Sequence, residues 1–359
     1  MLVSDFDFSL PDDLIAQTAA PRGQSRMLAL DRATGALAHR EIADLPDLLR
    51  PGDVLVVNNT RVFAARLLGH RVPSGGAVEC LLLCESAAGK MGESVVWEAL
   101  MHPGQKLKPG AVVRFDGGGG VGNVGNVLMG EVLERHFQGR RTIRLWPESG
   151  GDVTTLIDAL GHVPLPPYIR REDTAADRER YQTVFARARG SVAAPTAGLH
   201  FTAALLEALA ARGVERAEIT LHVGYGTFKP IKVDRVEDHV VDPEPYSIGE
   251  HVAAAINRAR TEGRRVIAVG TTTTRALEDA ARRGGGVVGP GAASAEVFIH
   301  PGFEFQVIDG LLTNFHLPKS SLLMLVCAFA GRERVQSAYA EAVRERYRFY
   351  SYGDAMLVT

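Results

Sequence analysis

The chain has 359 residues, 46% of them hydrophobic and 23% charged, a globular composition with enough apolar surface for two domains or for one large domain carrying an insertion. A formal net charge of -2 excludes a global basic field, so any nucleic acid has to be met by local patches. The cysteines Cys80, Cys84 and Cys327 make neither a CxxC pair nor an even framework, which fits a reducing compartment, and the apolar run AVECLLLC marks Cys80 and Cys84 as buried thiols.

The first residues, MLVSDFDFSLPDDL, carry acids where a signal peptide carries bases. The longest strongly apolar run, LLMLVCAFA at 322–330, is about half the ~20 residues of a membrane span, so a cytoplasmic protein is expected. Residues 53–57 (DVLVV) follow a PG turn and read as a buried strand. From 61 to 150 short β-like runs (AVECLLLC, SVVWEAL, AVVRF, RTIRLW) alternate with Gly-rich turns, the texture of a small antiparallel barrel. The stretch GGGGVGNVGN at 117–126 reads as a hairpin tip, since neither a helix nor a Lys-Ser/Thr pair follows it.

Beyond 150 the pattern becomes strand-helix alternation. TAALLEALAARG (202–213) is a helix with Thr202 as N-cap and Gly213 at its end, and AEITLHVG (217–224) is a strand. EHVAAAINRARTEG (250–263), RVIAVG (265–270) and TTRALEDAARRGG (273–285) continue as helix, strand and helix. The expected fold is α/β: a discontinuous domain of residues 1–60 and 151–359 with a mixed, largely parallel sheet joined by DVLVV, and an inserted antiparallel β-barrel at 61–150.

Ligands of open α/β sheets collect outside the carboxyl ends of the strands, and four segments fall there. LHVGYGTFKP (221–230) has a GxG that lets backbone approach a ligand, with Tyr225 and Phe228 beside it; a tight turn with packing aromatics is the competing explanation. AVGTTTTRALE (268–278) offers hydroxyls and free N–H groups at a helix start, an anion site that Arg275 could complete, against simple capping with an Arg275–Glu278 surface pair. VEDHVVDPEPY (236–246) sets Asp238 beside His239, either an oriented base or part of a solvated acidic loop. LLTNFHLPKS (311–320) holds Asn314, His316 and Lys319 ahead of a very apolar helix. His200 in APTAGLHF (194–201) lies at a similar edge.

The spacings of His200, His222, His239 and His316 match no familiar zinc set, so no metal is expected, and a GxSxG elbow is absent. Three basic clusters could serve RNA: residues 168–191 with Arg170 and Arg171, then Lys229 with Lys232 and Arg235, then RERYRFYSYGD (344–354) with Arg346, Arg348 and four aromatics.

DFDFSLPDDLIAQTAAPRGQSRML, VLVVNNTRVFAARL, APTAGLHF, ITLHVGYGTFKPIKVD, GTTTTRALE, HPGFEFQVIDGLLTNFHLPKSSLLMLVCAFAG and YRFYSYGDAMLV together resemble the S-adenosylmethionine:tRNA ribosyltransferase-isomerases of queuosine biosynthesis, from residue 5 to 358. The resemblance implies a pseudo α/β-barrel with an inserted β-barrel. It also implies transfer and isomerisation of the ribosyl part of S-adenosylmethionine onto 7-aminomethyl-7-deazaguanine at the tRNA wobble position, giving epoxyqueuosine, adenine and methionine. S-adenosylmethionine is then a consumed substrate, no cofactor or metal is needed, and the protein is a cytoplasmic monomer. Two departures stand out: a family histidine expected near 242 is Asp242, and the usual GTTSVR is GTTTTR.

Under this resemblance His200, His316 and the Asp238–His239 pair carry the proton transfers. Phe201, Tyr225 and Phe315 supply faces for the sulfonium, and Thr271, Thr272 and Arg275 take the methionine carboxylate. Thr196, Gly198, Gly224 and Gly226 complete the S-adenosylmethionine site, and Arg170, Arg171, Lys229, Arg346 and Arg348 contact tRNA. The alternatives are a non-catalytic RNA-binding accessory protein, and a nucleoside hydrolase or phosphoribosyl-type transferase using the threonines at the helix start.

Overall fold

The computed structural model describes residues 1–117, 126–228 and 231–359, in two compact units. The larger comprises Met1–Arg61, Pro166–Arg171 and Arg180–Thr359, and the smaller Val62–Leu165 and Glu172–Glu179.

Nine strands build the sheet of the larger unit, in the spatial order Gly291–Ala295, Glu244–Ile248, Glu215–Leu221, Val54–Asn58, Val266–Val269, Gly310–Asn314, Ala355–Val358, Arg26–Leu30 and Leu37–Glu41. Four central neighbours, Glu215–Leu221 through Gly310–Asn314, run parallel, so their carboxyl ends share one edge. DVLVV lies in the middle of them, as its unbroken apolar run requires. Val54 and Val56 enter one core with Val252, Ile256 and Leu277, whereas Leu55 and Val57 enter the opposite core with Leu45, Leu205 and Leu209. A strand buried on both faces cannot alternate polar and apolar residues, and each such side chain contributes ~1.5–3 kcal/mol by burial.

The sheet is less parallel than expected. Gly291–Ala295 and Glu244–Ile248 join antiparallel on one side, and Ala355–Val358 runs antiparallel to Gly310–Asn314 on the other. These flanking strands (GAASA, EPYSI, AMLV) are short or rich in small residues and carry little β-propensity of their own. Helix limits match their local chemistry: Thr202 Oγ1 accepts from the Leu205 N–H at 3.0 Å, and Ser320 Oγ accepts from the Leu323 N–H at 3.2 Å.

The smaller unit is a closed antiparallel barrel of six strands, Arg66–Val72, Ala77–Met91, Ser94–His102, Val112–Phe115, Leu128–Arg135 and Arg140–Pro147. Closure presses strands together at Gly69, where a Cβ would stand 2.3 Å from the Arg114 carbonyl oxygen. One thiol departs from expectation: Cys80 is buried, but a register shift between Leu82 and Cys84 turns Cys84 outward. The hairpin tip expected at 117–126 falls largely outside the described residues. Among the described residues no helix is long and apolar enough to cross a membrane.

Candidate functional site

The shared carboxyl edge opens into a pocket. Its first wall comes from the strand Val266–Val269. Gly270 follows at φ 92°, a left-handed turn that favours glycine, and starts the helix Thr271–Arg283. Thr273 and Thr274 turn their hydroxyls back onto the Val269 and Gly270 carbonyls at 2.7 and 3.2 Å, while Thr271 and Thr272 line the pocket. The first N–H groups of a helix have no partner inside it, so this wall favours negative charge.

The floor is Thr313 to Leu317, which ends the strand Gly310–Asn314. His316 is 8% exposed; its Nε2 lies 2.8 Å from Thr313 Oγ1, and its backbone N–H donates to Tyr339 Oη at 3.0 Å. Burial lowers its pKa to about 3, which keeps the imidazole neutral. Opposite stand Tyr168 and Tyr350, with rings stacked at 4.5 Å, and the Tyr168 hydroxyl lies 2.6 Å from Ser351 Oγ. Thr196 and Val223 complete the rim.

A second cavity shares Thr227 and Leu322 with the first and is lined by Gly226, His239, Asp242, Glu244, Arg275 and Phe298. His239 meets the Phe298 ring edge-on at 5.1 Å; burial lowers its pKa and Asp242 opposes that. Glu244 is 2% exposed and ion-paired with Arg275, and it accepts from the Gly224 N–H at 2.9 Å and the Thr227 hydroxyl at 3.3 Å. Burial raises its pKa, and the guanidinium and both donors pull the other way.

Of the residues singled out from the sequence, Thr196, Thr271, Thr272, Asn314, Phe315 and His316 meet at the first pocket, and Gly226, His239 and Arg275 at the second. Several others stand elsewhere. His200 sits behind the floor, 4% exposed, with Nδ1 2.8 Å from Ser25 Oγ and Nε2 3.2 Å from Asn314 Nδ2. Phe201 packs edge-on against Phe185 in the core, and Phe315, though at the lining, encloses its ring among Tyr339, Tyr347 and Phe349. Tyr225 and Gly224 lie outside both linings. The Gly198 Cβ position is closed by Thr183 and Phe185, 2.7 and 2.8 Å away, so core packing rather than a ligand demands glycine there.

Asp238 is exposed and makes no hydrogen bond or ion pair with His239. Arg275 is no open carboxylate clamp. Besides Glu244 it holds the carbonyls of Ala295 at 2.9 Å, Val297 at 3.2 Å and Asp242 at 3.4 Å, so each of its three nitrogens already donates. Glu278, its surface partner in the competing explanation, is buried and accepts three backbone N–H groups, from Gln306, Val307 and Ile308.

The basic clusters also change meaning. Arg170 pairs with Asp12 at 3.7 Å, Arg346 with Asp13 at 2.5 Å and Arg348 with Asp354 at 3.6 Å, and Arg171 donates to the Gln17 carbonyl at 3.2 Å. Lys229 lies outside the described residues. The aromatics of RERYRFYSYGD do not splay for bases: Tyr347, Phe349, Tyr350 and Tyr352 are all buried. The tyrosine face of the pocket, Tyr168 and Tyr350, comes from segments read as RNA contacts, because composition alone cannot tell a stacking platform from a cavity wall. Among the described residues no group of three or more His, Cys, Asp or Glu could hold a metal.

A pocket at the carboxyl edge of parallel strands, beside a helix N-terminus, is where α/β proteins bind small molecules. The queuosine biosynthesis protein family matches residues 3–358, and the chain belongs to it. A relative from Heliobacterium modesticaldum named S-adenosylmethionine:tRNA ribosyltransferase-isomerase is 50% identical over 359 residues, 100% of both chains. One of the same name from Desulfitobacterium hafniense is 48% identical over the same span. The crystal structure of an S-adenosylmethionine tRNA ribosyltransferase from Thermotoga maritima is similar with a TM-score of 0.54 and 35% identity, covering 99% of this chain and 100% of that one.

Proposed function

We propose that this chain transfers and isomerises the ribosyl moiety of S-adenosylmethionine onto 7-aminomethyl-7-deazaguanine in tRNA, releasing adenine and methionine, with S-adenosylmethionine consumed and no further cofactor. The observation that carries this reading is the single pocket that answers three demands of that substrate. Thr271 and Thr272 at the helix start suit the methionine carboxylate, and the stacked Tyr168 and Tyr350 suit a sulfonium. His316 lines the floor and is the candidate to take the proton at the C5′ carbon, which the sulfonium acidifies; burial keeps it unprotonated while lowering its basicity. His239 is the proton carrier of the second cavity, and Arg275 a brace for Glu244. The nine-stranded sheet with its helices is read as the pseudo α/β-barrel of the family, and residues 61–150 as its inserted domain.

The test is incubation with S-adenosylmethionine and tRNA carrying the deazaguanine precursor, with adenine measured. Adenine that appears only with that tRNA is the expected result. Adenine released without tRNA would point instead to a hydrolase, and tRNA binding without adenine to an accessory protein.

A further inference from the structure

The two strands flanking Val266–Val269 each end on a buried asparagine, and the two amides are used differently. Asn58, 1% exposed, is satisfied at both ends. Its Oδ1 accepts from the N–H groups of Thr60 and Leu221 at 3.1 and 3.0 Å, and its Nδ2 donates to the Leu221 carbonyl at 2.9 Å. Asn314, 2% exposed and on the pocket floor, uses only its nitrogen. Nδ2 reaches His200 Nε2 at 3.2 Å and the Tyr350 carbonyl at 3.1 Å, whereas Oδ1 is buried with no partner among the described residues. A buried acceptor left unpaired beside a cavity calls for an explanation.

The amide cannot turn over. The Tyr350 carbonyl only accepts, so a flipped amide would set two oxygens against each other. Donation from Nδ2 makes His200 Nε2 the acceptor, so the ring proton sits on Nδ1 and is given to Ser25 Oγ at 2.8 Å. Tyr350 itself stands at φ 72°, rare for a bulky residue, and is held there by its N–H to the Phe315 carbonyl at 3.0 Å and by the Asn314 amide. Such over-determined strain clusters at ligand sites.

We infer that Asn314 Oδ1 is a substrate-binding acceptor, set in place by His200 as a positioning residue, and that it takes a neutral hydrogen-bond donor from the nucleoside part of S-adenosylmethionine, a ribose hydroxyl or the base amino group. The inference rests on the assignment of this pocket to S-adenosylmethionine. A cationic donor fits less well, because Arg180 and Arg348 make the surroundings of His200 electropositive and no carboxylate joins the Asn314–His200–Ser25 chain.

Binding and adenine release are measured with S-adenosylmethionine and with analogues lacking the 2′-hydroxyl, the 3′-hydroxyl or the base amino group. For the unaltered protein, one analogue binds about tenfold more weakly, the loss of one buried hydrogen bond. Asn314→Ala weakens S-adenosylmethionine by a similar factor yet costs that one analogue nothing further, since its donor is already gone. His200→Leu reproduces the pattern of Asn314→Ala. His200→Gln, whose carbonyl can accept from Nδ2, stays within about threefold of the unaltered protein. Equal loss for all ligands in Asn314→Ala, or no analogue weaker with the unaltered protein, overturns the acceptor role. Full discrimination in His200→Leu overturns the positioning role. If the unaltered protein neither binds S-adenosylmethionine nor releases adenine, the reading of the pocket falls first and the inference with it.

Discussion

Acidification destabilises the larger unit through His200 and His316 before most carboxylates respond. Burial holds both imidazoles at a pKa of about 3 in the folded chain, with Arg180 and Arg348 adding to the effect at His200. Unfolding returns each to about 6.5. Above that value both states are neutral and the two groups contribute no pH dependence. As pH falls from about 6.5 towards 3 the unfolded chain binds protons that the folded chain refuses, so stability is lost. Integrated from pH 7 to pH 5, this amounts to about 2 kcal/mol per histidine, or about 4 kcal/mol for the pair. Glu244 and Glu278 work in the opposite sense, because burial raises their carboxyl pKa values and the fold takes up their protons first. The comparison is therefore with a double variant, His200→Gln with His316→Gln, followed by denaturant unfolding at pH 7, 6 and 5. The unaltered protein should lose about 4 kcal/mol more than the variant over that range. Parallel loss in both would show that the fold does not keep these imidazoles neutral, and would remove the basis for reading His316 as a neutral base.

Three further outcomes are expected. Glu278→Ala strands three backbone N–H groups, bonded to the carboxylate at 2.7, 3.0 and 3.1 Å, and should lower stability by roughly 3–5 kcal/mol in chemical denaturation, with Glu278→Gln losing less. Arg275→Met leaves Glu244 charged and buried, which costs about 3–5 kcal/mol; adding Glu244→Leu should restore most of it, and a double variant as unstable as the single would show the pair is not the source. His316→Ala should lower tRNA-dependent adenine release by ~100-fold or more while thermal unfolding shows the fold intact, and turnover near the unaltered rate would take His316 out of the chemistry.

Much of the frame was legible in the residues. DVLVV read as a buried strand, Thr202 announced its helix, and short runs between glycine turns announced the barrel. The carboxyl edge as the place for a pocket followed from strand-helix alternation, and Thr271, Thr272 and His316, singled out on that ground, line it. Antiparallel flanks such as GAASA were not legible, because such strands are held by their neighbours and carry no periodic signal themselves.

Among the polar groups the limit is sharper. His200 and His316 look alike in sequence, each between apolar neighbours and ahead of a helix, yet one faces the cavity and the other stands behind Asn314. Arg275 and Glu278 allowed either a carboxylate clamp or a surface pair, but each is committed to a partner from elsewhere in the chain. The tyrosines of the C-terminal segment read as an RNA platform and form core and pocket wall instead. Local pattern reports which residues avoid water and where the backbone turns, because those preferences act over a few neighbours. Which buried polar atom finds a partner and which is left without one depends on segments more than a hundred residues apart, such as Asn314 and His200, and only the tertiary structure decides it.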